Sequence, residues 1–322
     1  MLSVMERLIG LDVWTFQPGD WAIDASLMTN VGFLACETTL PGAGPRRGDA
    51  YEHDLMIAAL EPAFGARGLQ LRVIDWEAPL SQFAGVDFVL LGTAWNYQDK
   101  ASDFLAKLEG MTLRGIKVSN SPKVVGWNMR KTYLRELAER GAHTIPTLWL
   151  ESVSRDQALA AMDRFDCDQL VVKRQVGAGA LGQELLSRHA VESSWSFPHA
   201  AMLQPFLPAI KQEGELSFVF VDGDLSHALC KRPASDDYRI QSLYGGTESI
   251  YLPHKDELEA ARAIIEALPF PAPLYARIDM LRMEDGALAV MEAELIEPYL
   301  YPEQGPELGD RLADAIAKRL EK

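Results

Sequence analysis

Two apolar segments near the carboxyl end, Tyr275-Ala-Arg-Ile-Asp279 and Glu292-Ala-Glu294-Leu-Ile-Glu297-Pro298, carry charge where a sheet would ordinarily bury hydrocarbon. Side chains alternate faces along a strand, so Tyr275, Arg277 and Asp279 share one face, and so do Glu292 and Glu294. Between the segments stands Glu284-Asp285-Gly286, a turn of the Asp-Gly kind that closes antiparallel hairpins. Such a hairpin gathers three carboxylates and a guanidinium on a surface that is otherwise Leu, Ile, Val, Met and Ala. Half-buried carboxylates repel one another unless a cation sits among them. Oxygen donors alone suit Mg²⁺ or Mn²⁺, with phosphate completing the shell. A strand with ordinary solvent-facing charges fits the same pattern, and the choice turns on what lies upstream.

A chain of 322 residues has room for two or three domains with cores of their own. Its net charge of −15, with no basic stripe, argues against a nucleic-acid surface. Cys36, Cys167 and Cys230 stand in apolar or strand-like contexts without metal-ligand spacing. That is the usage of a reducing compartment, so a cytoplasmic location is expected. The first 27 residues hold no apolar run long enough for a membrane span or a secretory signal, and Glu6, Asp12, Asp20 and Asp24 suit neither. Residues 1–29 read as an N-terminal extension, either native or the product of an upstream start.

From residue 30 to about 120, strands and helices alternate. Strands are predicted over 31–36, 70–75, 86–91 and 116–119, and helices over 51–66 and 102–108. Short apolar strands separated by helices imply a parallel, Rossmann-like sheet covered on both faces. The loops after its strands, 37–49 and Gly92-Thr-Ala-Trp-Asn-Tyr97, are where such sheets bind ligands. A second unit opens near Asn120. It has a helix over 129–140 capped by Asn128, a strand over 145–149, a helix over 155–165 and a strand over 169–174. Strands at 202–207, 215–221 and 225–230 follow, then a helix over 256–268 and the acidic hairpin. A last helix presents Leu308, Leu312, Ile316 and Leu320 on one stripe for packing on the sheet.

Several pieces point to a polyanion. Lys173 ends a strand and leads into a glycine-rich loop over 175–182, which includes Gly179. Glycines let backbone N–H groups approach phosphate, although a plain hairpin turn accounts for them equally. Met202-Leu-Gln-Pro-Phe-Leu207 is a strand broken by proline, which suits a connector and equally a hinge against which a base stacks. Lys231, Arg232 and Arg239 gather at a strand-to-loop exit, a cationic cluster in an acidic chain. Lys131, placed in the first turn of its helix, opposes the helix dipole unless an anion is near. The six histidines show no ligand spacing and no nucleophile elbow is present, which sets zinc and triad mechanisms aside.

In this order the pieces resemble the ATP-grasp superfamily, in the branch of glutathione synthetase, the ligase that adds glutamate to ribosomal protein S6, and the enzyme that closes the cycloserine ring. The resemblance rests on Gln204-x-Phe-Leu-Pro-Ala followed by Gly214-Glu215, on Lys231-Arg-Pro233 with Arg239 and Gly245-Gly246, and on Asp279 with Glu292-x-Glu294-x-x-x-Pro298. It implies a Rossmann-like N-terminal domain (30–120) and a two-part α+β ATP-grasp fold, 121–201 with a glycine-rich lid and 202–322 with the metal and phosphate site. By the same resemblance, Lys131, Lys173 and Gly179 would hold ATP phosphates, Gln204, Phe206 and Leu207 the adenine, and Glu215 the ribose. Lys231 and Arg239 would neutralise the transferred phosphoryl group, and Asp279, Glu292 and Glu294 would ligate two Mg²⁺. Two departures stand out. Glu294 replaces the family's usual asparagine, and Ser217 stands where glutathione synthetase has arginine.

The implied activity is ATP-dependent carboxylate–amine ligation through an acyl phosphate, on small-molecule acid and amine substrates. An intramolecular cyclo-ligase and a non-catalytic ATP-binding protein are the alternatives. Arg46, Arg47, Trp95 and Tyr97 are the expected substrate wall, with the two aromatics fitting a core role as well. A homodimer is compatible with the sequence; nucleic acid and membrane are not expected partners.

Overall fold

The computed structural model describes residues 28–42, 44–177, 182–235, 238–240 and 244–321. Residues 1–27, Gly179 with the other central residues of the glycine-rich loop (178–181), and Gln241 lie outside the described residues.

The alternating segments form a parallel sheet. Its strands β1 (Thr29–Ala35), β2 (Leu69–Asp75), β3 (Phe88–Thr93) and β4 (Lys117–Ser119) stand in the order β2-β1-β3-β4. Helix α1 (Ala50–Gly65) sets Met56, Leu60 and Phe64 against Val31, Phe33 and Phe88. Helix α2 (Ala101–Thr112) sets Phe104, Leu108 and Met111 against Leu34, Val89 and Leu91 on the opposite face. Hydrocarbon on both strand faces is what a doubly covered sheet requires.

The next segment departs from expectation. In place of one helix capped by Asn128 there are two short ones, α3 (Pro122–Asn128), capped by Ser121, and α4 (Tyr133–Glu139). Asn128 is used elsewhere: its Nδ2 donates to Ala293 O at 2.8 Å and its Oδ1 accepts from Leu295 N at 3.0 Å. A cap would satisfy one exposed N–H, whereas here one side chain satisfies a buried donor and a buried acceptor. Lys131 accordingly sits in the link between α3 and α4, not in a first helical turn.

The second sheet joins β5 (Leu148–Leu150), β7 (Gln169–Arg174), β8 (Glu184–Ser187) and β10 (Ala201–Pro205) in the antiparallel order β5-β10-β7-β8. Strand β5 starts later than predicted because Pro146 has no N–H to give a ladder. A small ribbon, β6 (Val153–Ser154) with β9 (Ser196–Phe197), flanks helix α5 (Arg155–Phe165), which opens with a reciprocal Ser154–Gln157 capping box.

After the single turn α6 (Ala209–Gln212) come β11 (Glu215–Val221), β12 (Asp224–Arg232), β13 (Thr247–Tyr251), helix α7 (Lys255–Glu266), β14 (Tyr275–Arg282), β15 (Leu288–Glu294) and helix α8 (Leu308–Leu320). The five strands pair antiparallel in the order β13-β12-β11-β14-β15. One face is hydrocarbon, with Leu216, Phe218, Phe220, Ile278 and Met280 under α4 and α7. The other face changes character along its length. Val219, Val221, Leu229 and Tyr275 pack with α8, which also lies on α1, while Glu215, Ser217, Lys231, Arg277 and Asp279 occupy the far end. Among the described residues no helix is long and apolar enough to cross a membrane.

The loop after β15 is fixed from β12 by His227, whose Nε2 donates to Leu300 O at 3.0 Å. A Cβ at Gly305 would collide with the imidazole, so only glycine fits there. Burial lowers the His227 pKa to about 4, against backbone carbonyls that favour the charged ring. The unfolded chain therefore takes up this proton near pH 6.5 and the folded chain only near pH 4, so stability is lost as pH falls across that window. The shift corresponds to about 3 kcal/mol at most. Chemical denaturation at several pH values should give a shallower acid loss for His227→Phe than for the wild type. Parallel curves between pH 4 and 6.5 would refute the assignment.

Candidate active site

The charged end of the five-stranded sheet faces a cavity of about 440 Å³. Lys173 and Gln204 of the second sheet form its opposite wall, and Arg47 and Trp95 from the loops of the parallel sheet close its end.

Strand register assembles the charges. Lys231 stands opposite Glu215, Ser217 opposite Asp279, Asp279 opposite Glu292, and Arg277 opposite Glu294. Lys231 Nζ lies 2.5 Å from Glu215 Oε1 and 3.3 Å from Asp279 Oδ2. Arg277 Nη2 donates to Asp279 Oδ2 at 2.9 Å and also to Glu294, and its Nη1 donates to Tyr299 O at 3.0 Å. Ser217 Oγ donates to Asp279 Oδ1 at 2.5 Å. Glu292 pairs with Lys131.

Burial alone would raise the Asp279 carboxyl, but Arg277 and Lys231 outweigh it and hold the group well below the usual carboxylate range. Burial likewise works against the Lys231 ammonium, yet Asp279 and Glu215 keep it charged. Glu215 competes with Asp279 for that one lysine and is lifted by burial to about 7. Its Oε1 is paired with Lys231, and its buried Oε2 has no hydrogen bond among the described residues. Glu294 is also lifted by burial to about 7, although 29% of its side chain is open to the cleft. Burial pushes the Lys173 ammonium down, and this lysine has no ion-pair partner among the described residues.

The predicted metal triad is thus adjacent but tied to protein cations. Among the described residues no three acids, histidines or cysteines stand close enough to hold a metal ion unaided. An oxygen-only donor set of this kind fits Mg²⁺ whose shell is completed by phosphate, rather than a preformed cage.

Between the sheets lies an apolar slot lined by Ile145, Val171, Leu207, Ile210, Leu281 and Met291. Gln204 is buried, with Nε2 donating to Thr147 Oγ1 at 3.0 Å, and the Phe206 N–H is already used by Gln169 O at 3.0 Å. The Arg239 guanidinium stacks on Tyr244 at 3.6 Å and lines the same cavity. The glycine-rich loop leaves β7 through buried Gln175, whose carbonyl accepts from Lys131 N at 2.7 Å; Gly177 beyond it lines the cavity.

The expected substrate wall needs correction. Arg46 points away from the cavity and ties its own loop together through Thr39 O, Ala50 O and Asp54. Tyr97 packs in the core, 5.1 Å from Phe104, and also lines a small pocket with Lys131, Glu292 and Glu294. Arg47 and Trp95 do line the cavity, the guanidinium 5.0 Å over the indole and bidentate with Asp49. Sequence reasoning gave no role to Arg277, although strand alternation placed it beside Asp279, and it missed Tyr299 and Tyr301 in the following loop.

Comparison with known proteins places this geometry. Residues 31–120 match the family of the D-cycloserine synthetase DcsG N-terminal domain. The cycloserine biosynthesis protein DcsG of Streptomyces lavendulae is 28% identical over 79% of this chain and 90% of its own. The crystal structure of D-cycloserine synthetase DcsG superposes with a TM-score of 0.75 at 24% identity, covering 90% of this chain and 99% of that one. The D-alanine–D-alanine ligase of Bacillus anthracis, complexed with ATP, gives 0.60 at 19% identity over 91% of this chain and 97% of its own. The ATP-grasp ligase PsnB gives 0.60 at 16% over 91% and 100%. The chain has the ATP-grasp ligase fold that its motifs resemble. Within that class it is similar, in sequence and in structure, to DcsG.

Proposed function

We propose that the protein is an ATP-dependent carboxylate–amine ligase working through an acyl phosphate. One observation carries the reading: a half-buried lysine, Lys173, and a buried carboxylate, Glu215, face one cavity, and among the described residues the first has no ion pair and the second pairs only with Lys231, leaving its Oε2 without a hydrogen bond. A nucleotide supplies both partners, phosphate for the lysine and ribose hydroxyls for the acid. Lys131 would turn from Glu292 to the phosphates, and the adenine would enter the apolar slot against Phe206 and Leu207, beside Gln204. Gly179 belongs to the lid proposed to cover the phosphates.

The substrate carboxylate bonds to the γ-phosphorus as the P–O bond to ADP breaks. The amine nitrogen then bonds to the acyl carbon, the C–O bond to phosphate breaks, and the nitrogen gives its proton to solvent. Lys231 and Arg239 would lie against the transferred group and offset its charge, so catalysis is positioning and electrostatics. Asp279, Glu292 and Glu294 would hold Mg²⁺ or Mn²⁺, which when bound neutralises phosphate charge. The acid and amine would be small, amino-acid-like or peptide, held towards Arg47 and Trp95. The cytoplasm suits the three free cysteines.

A second reading, intramolecular ring closure, is favoured by the match of residues 31–120 to the DcsG N-terminal domain, because that unit supplies the Arg47–Trp95 wall. A screen of small amino acids and dipeptides for substrate-dependent ADP release tests the ligase. Product mass then separates the readings: the sum of two substrates less water, or one substrate less water. Binding of MgATP without ADP release for any pair would leave an inert nucleotide-binding protein.

A further inference from the structure

Tyr301 has a backbone φ of +50°. For a bulky residue this region is unfavourable and persists only where the surroundings over-determine it. They do so here. Arg277 Nη1 holds Tyr299 O at 3.0 Å, His227 Nε2 holds Leu300 O at 3.0 Å, and Tyr301 O accepts from Gln304 N and Gly305 N, each at 3.1 Å. The strained turn sets the phenol ring 5.8 Å from Lys231 Nζ and 5.6 Å from Arg277 Cζ, with the Tyr299 ring 4.5 Å away. Tyr301 is only 8% exposed and lines the cavity, yet its hydroxyl makes no hydrogen bond among the described residues. Buried phenols ordinarily find a partner. A bond left unmade on the cavity wall, beside two buried cations, is one that a ligand can complete.

We propose that Tyr301 is a further catalytic residue, whose hydroxyl donates a hydrogen bond to the acyl phosphate on the side of Lys231 and Arg277. The inference rests on the ligase reading above. Burial raises the phenol pKa although Lys231 and Arg277 oppose it, which keeps the hydroxyl a donor rather than a base. Charge on the transferred oxygens grows as the bond to ADP breaks, so this contact strengthens in the transition state and belongs to kcat rather than to ATP affinity.

The test uses Tyr301→Phe, which keeps the ring, its packing and its place beside the cations and removes only the hydroxyl. The thermal midpoint and the MgATP dissociation constant should match the wild type, while kcat for ADP release falls about a hundredfold. With MgADP bound, affinity for acetonylphosphonate, a non-hydrolysable analogue of acetyl phosphate, should fall about tenfold by calorimetry. Tyr301→Leu, which also loses the ring, should lower the thermal midpoint and so measure the structural share separately. Wild-type turnover and wild-type affinity for the analogue in Tyr301→Phe would overturn the proposal, as would a wild type that binds MgADP but not the analogue. Should the wild type release no ADP with any acid–amine pair, the ligase reading fails, and the analogue measurement still decides the role of Tyr301.

Discussion

Glu292→Gln is expected to lower turnover by a factor of about 10³ or more while leaving the fold intact. The amide keeps the shape of the side chain and one acceptor oxygen, but it cannot neutralise a divalent ion shared with phosphate. Folding should hardly register the change. Among the described residues Glu292 has one ion-pair partner, Lys131, and both side chains are at the cleft surface, 28% and 13% exposed. Pairs of that kind contribute about 1 kcal/mol or less. Asp279→Asn is the less clean experiment, because Asp279 is buried against Arg277, Lys231 and Ser217 and its loss leaves two cations short of a carboxylate. ADP release, the thermal midpoint and calorimetric Mg²⁺ binding with and without ATP check the claim together. ATP should raise Mg²⁺ affinity in the wild type and do so far less in Glu292→Gln. Full turnover in this variant would remove the metal assignment.

The acidic hairpin was legible because a period of two survives wherever a ladder is regular. The β14–β15 register slips only between the Asp279–Glu292 and Met280–Val290 pairs, beyond the stretch that sets Arg277 against Glu294. Lys231 was harder to place. It reads as part of a loop exit, but β12 runs on to Arg232, since Glu215 on the adjacent strand and Asp279 one strand further compensate a cation that the segment alone could not bury. Asn128 fails for the same reason in reverse. Capping rules see the residues beside it, while its hydrogen bonds reach Ala293 and Leu295. Arg46 and Arg47 are adjacent and of one type, yet one braces its own loop and the other lines the cavity; residue type carries no sign of that division. No pattern announces a tyrosine at positive φ, because that geometry is imposed by His227 and Arg277 from other strands.

Arg277→Met is expected to cost about 3–5 kcal/mol of folding stability, and to make the carboxylates bind Mg²⁺ without nucleotide. The guanidinium is 8% exposed and bridges Asp279 to Glu294, so it already serves as the cation that such a cluster needs. Methionine fills similar space but leaves two carboxylates, one buried and one half-buried, without the cation between them. One way out is protonation. Glu294, already lifted to about 7, should rise further once the opposing charge of Arg277 is gone. A carboxyl whose folded pKa is raised binds its proton more tightly than the unfolded chain does, so the penalty should be smaller at pH 5 than at pH 8. The other way out is a metal ion. In the wild type, Arg277 competes with Mg²⁺, and millimolar Mg²⁺ alone should leave the thermal midpoint unchanged. In Arg277→Met the same Mg²⁺ should raise the midpoint at pH 8, by linkage to the folded state, while ADP release stays low. Thermal unfolding of both proteins at pH 5 and 8, with and without Mg²⁺, gives all of these differences. An Arg277→Met variant as stable as the wild type, or one indifferent to Mg²⁺ at pH 8, would show that the guanidinium is not holding the place of the metal.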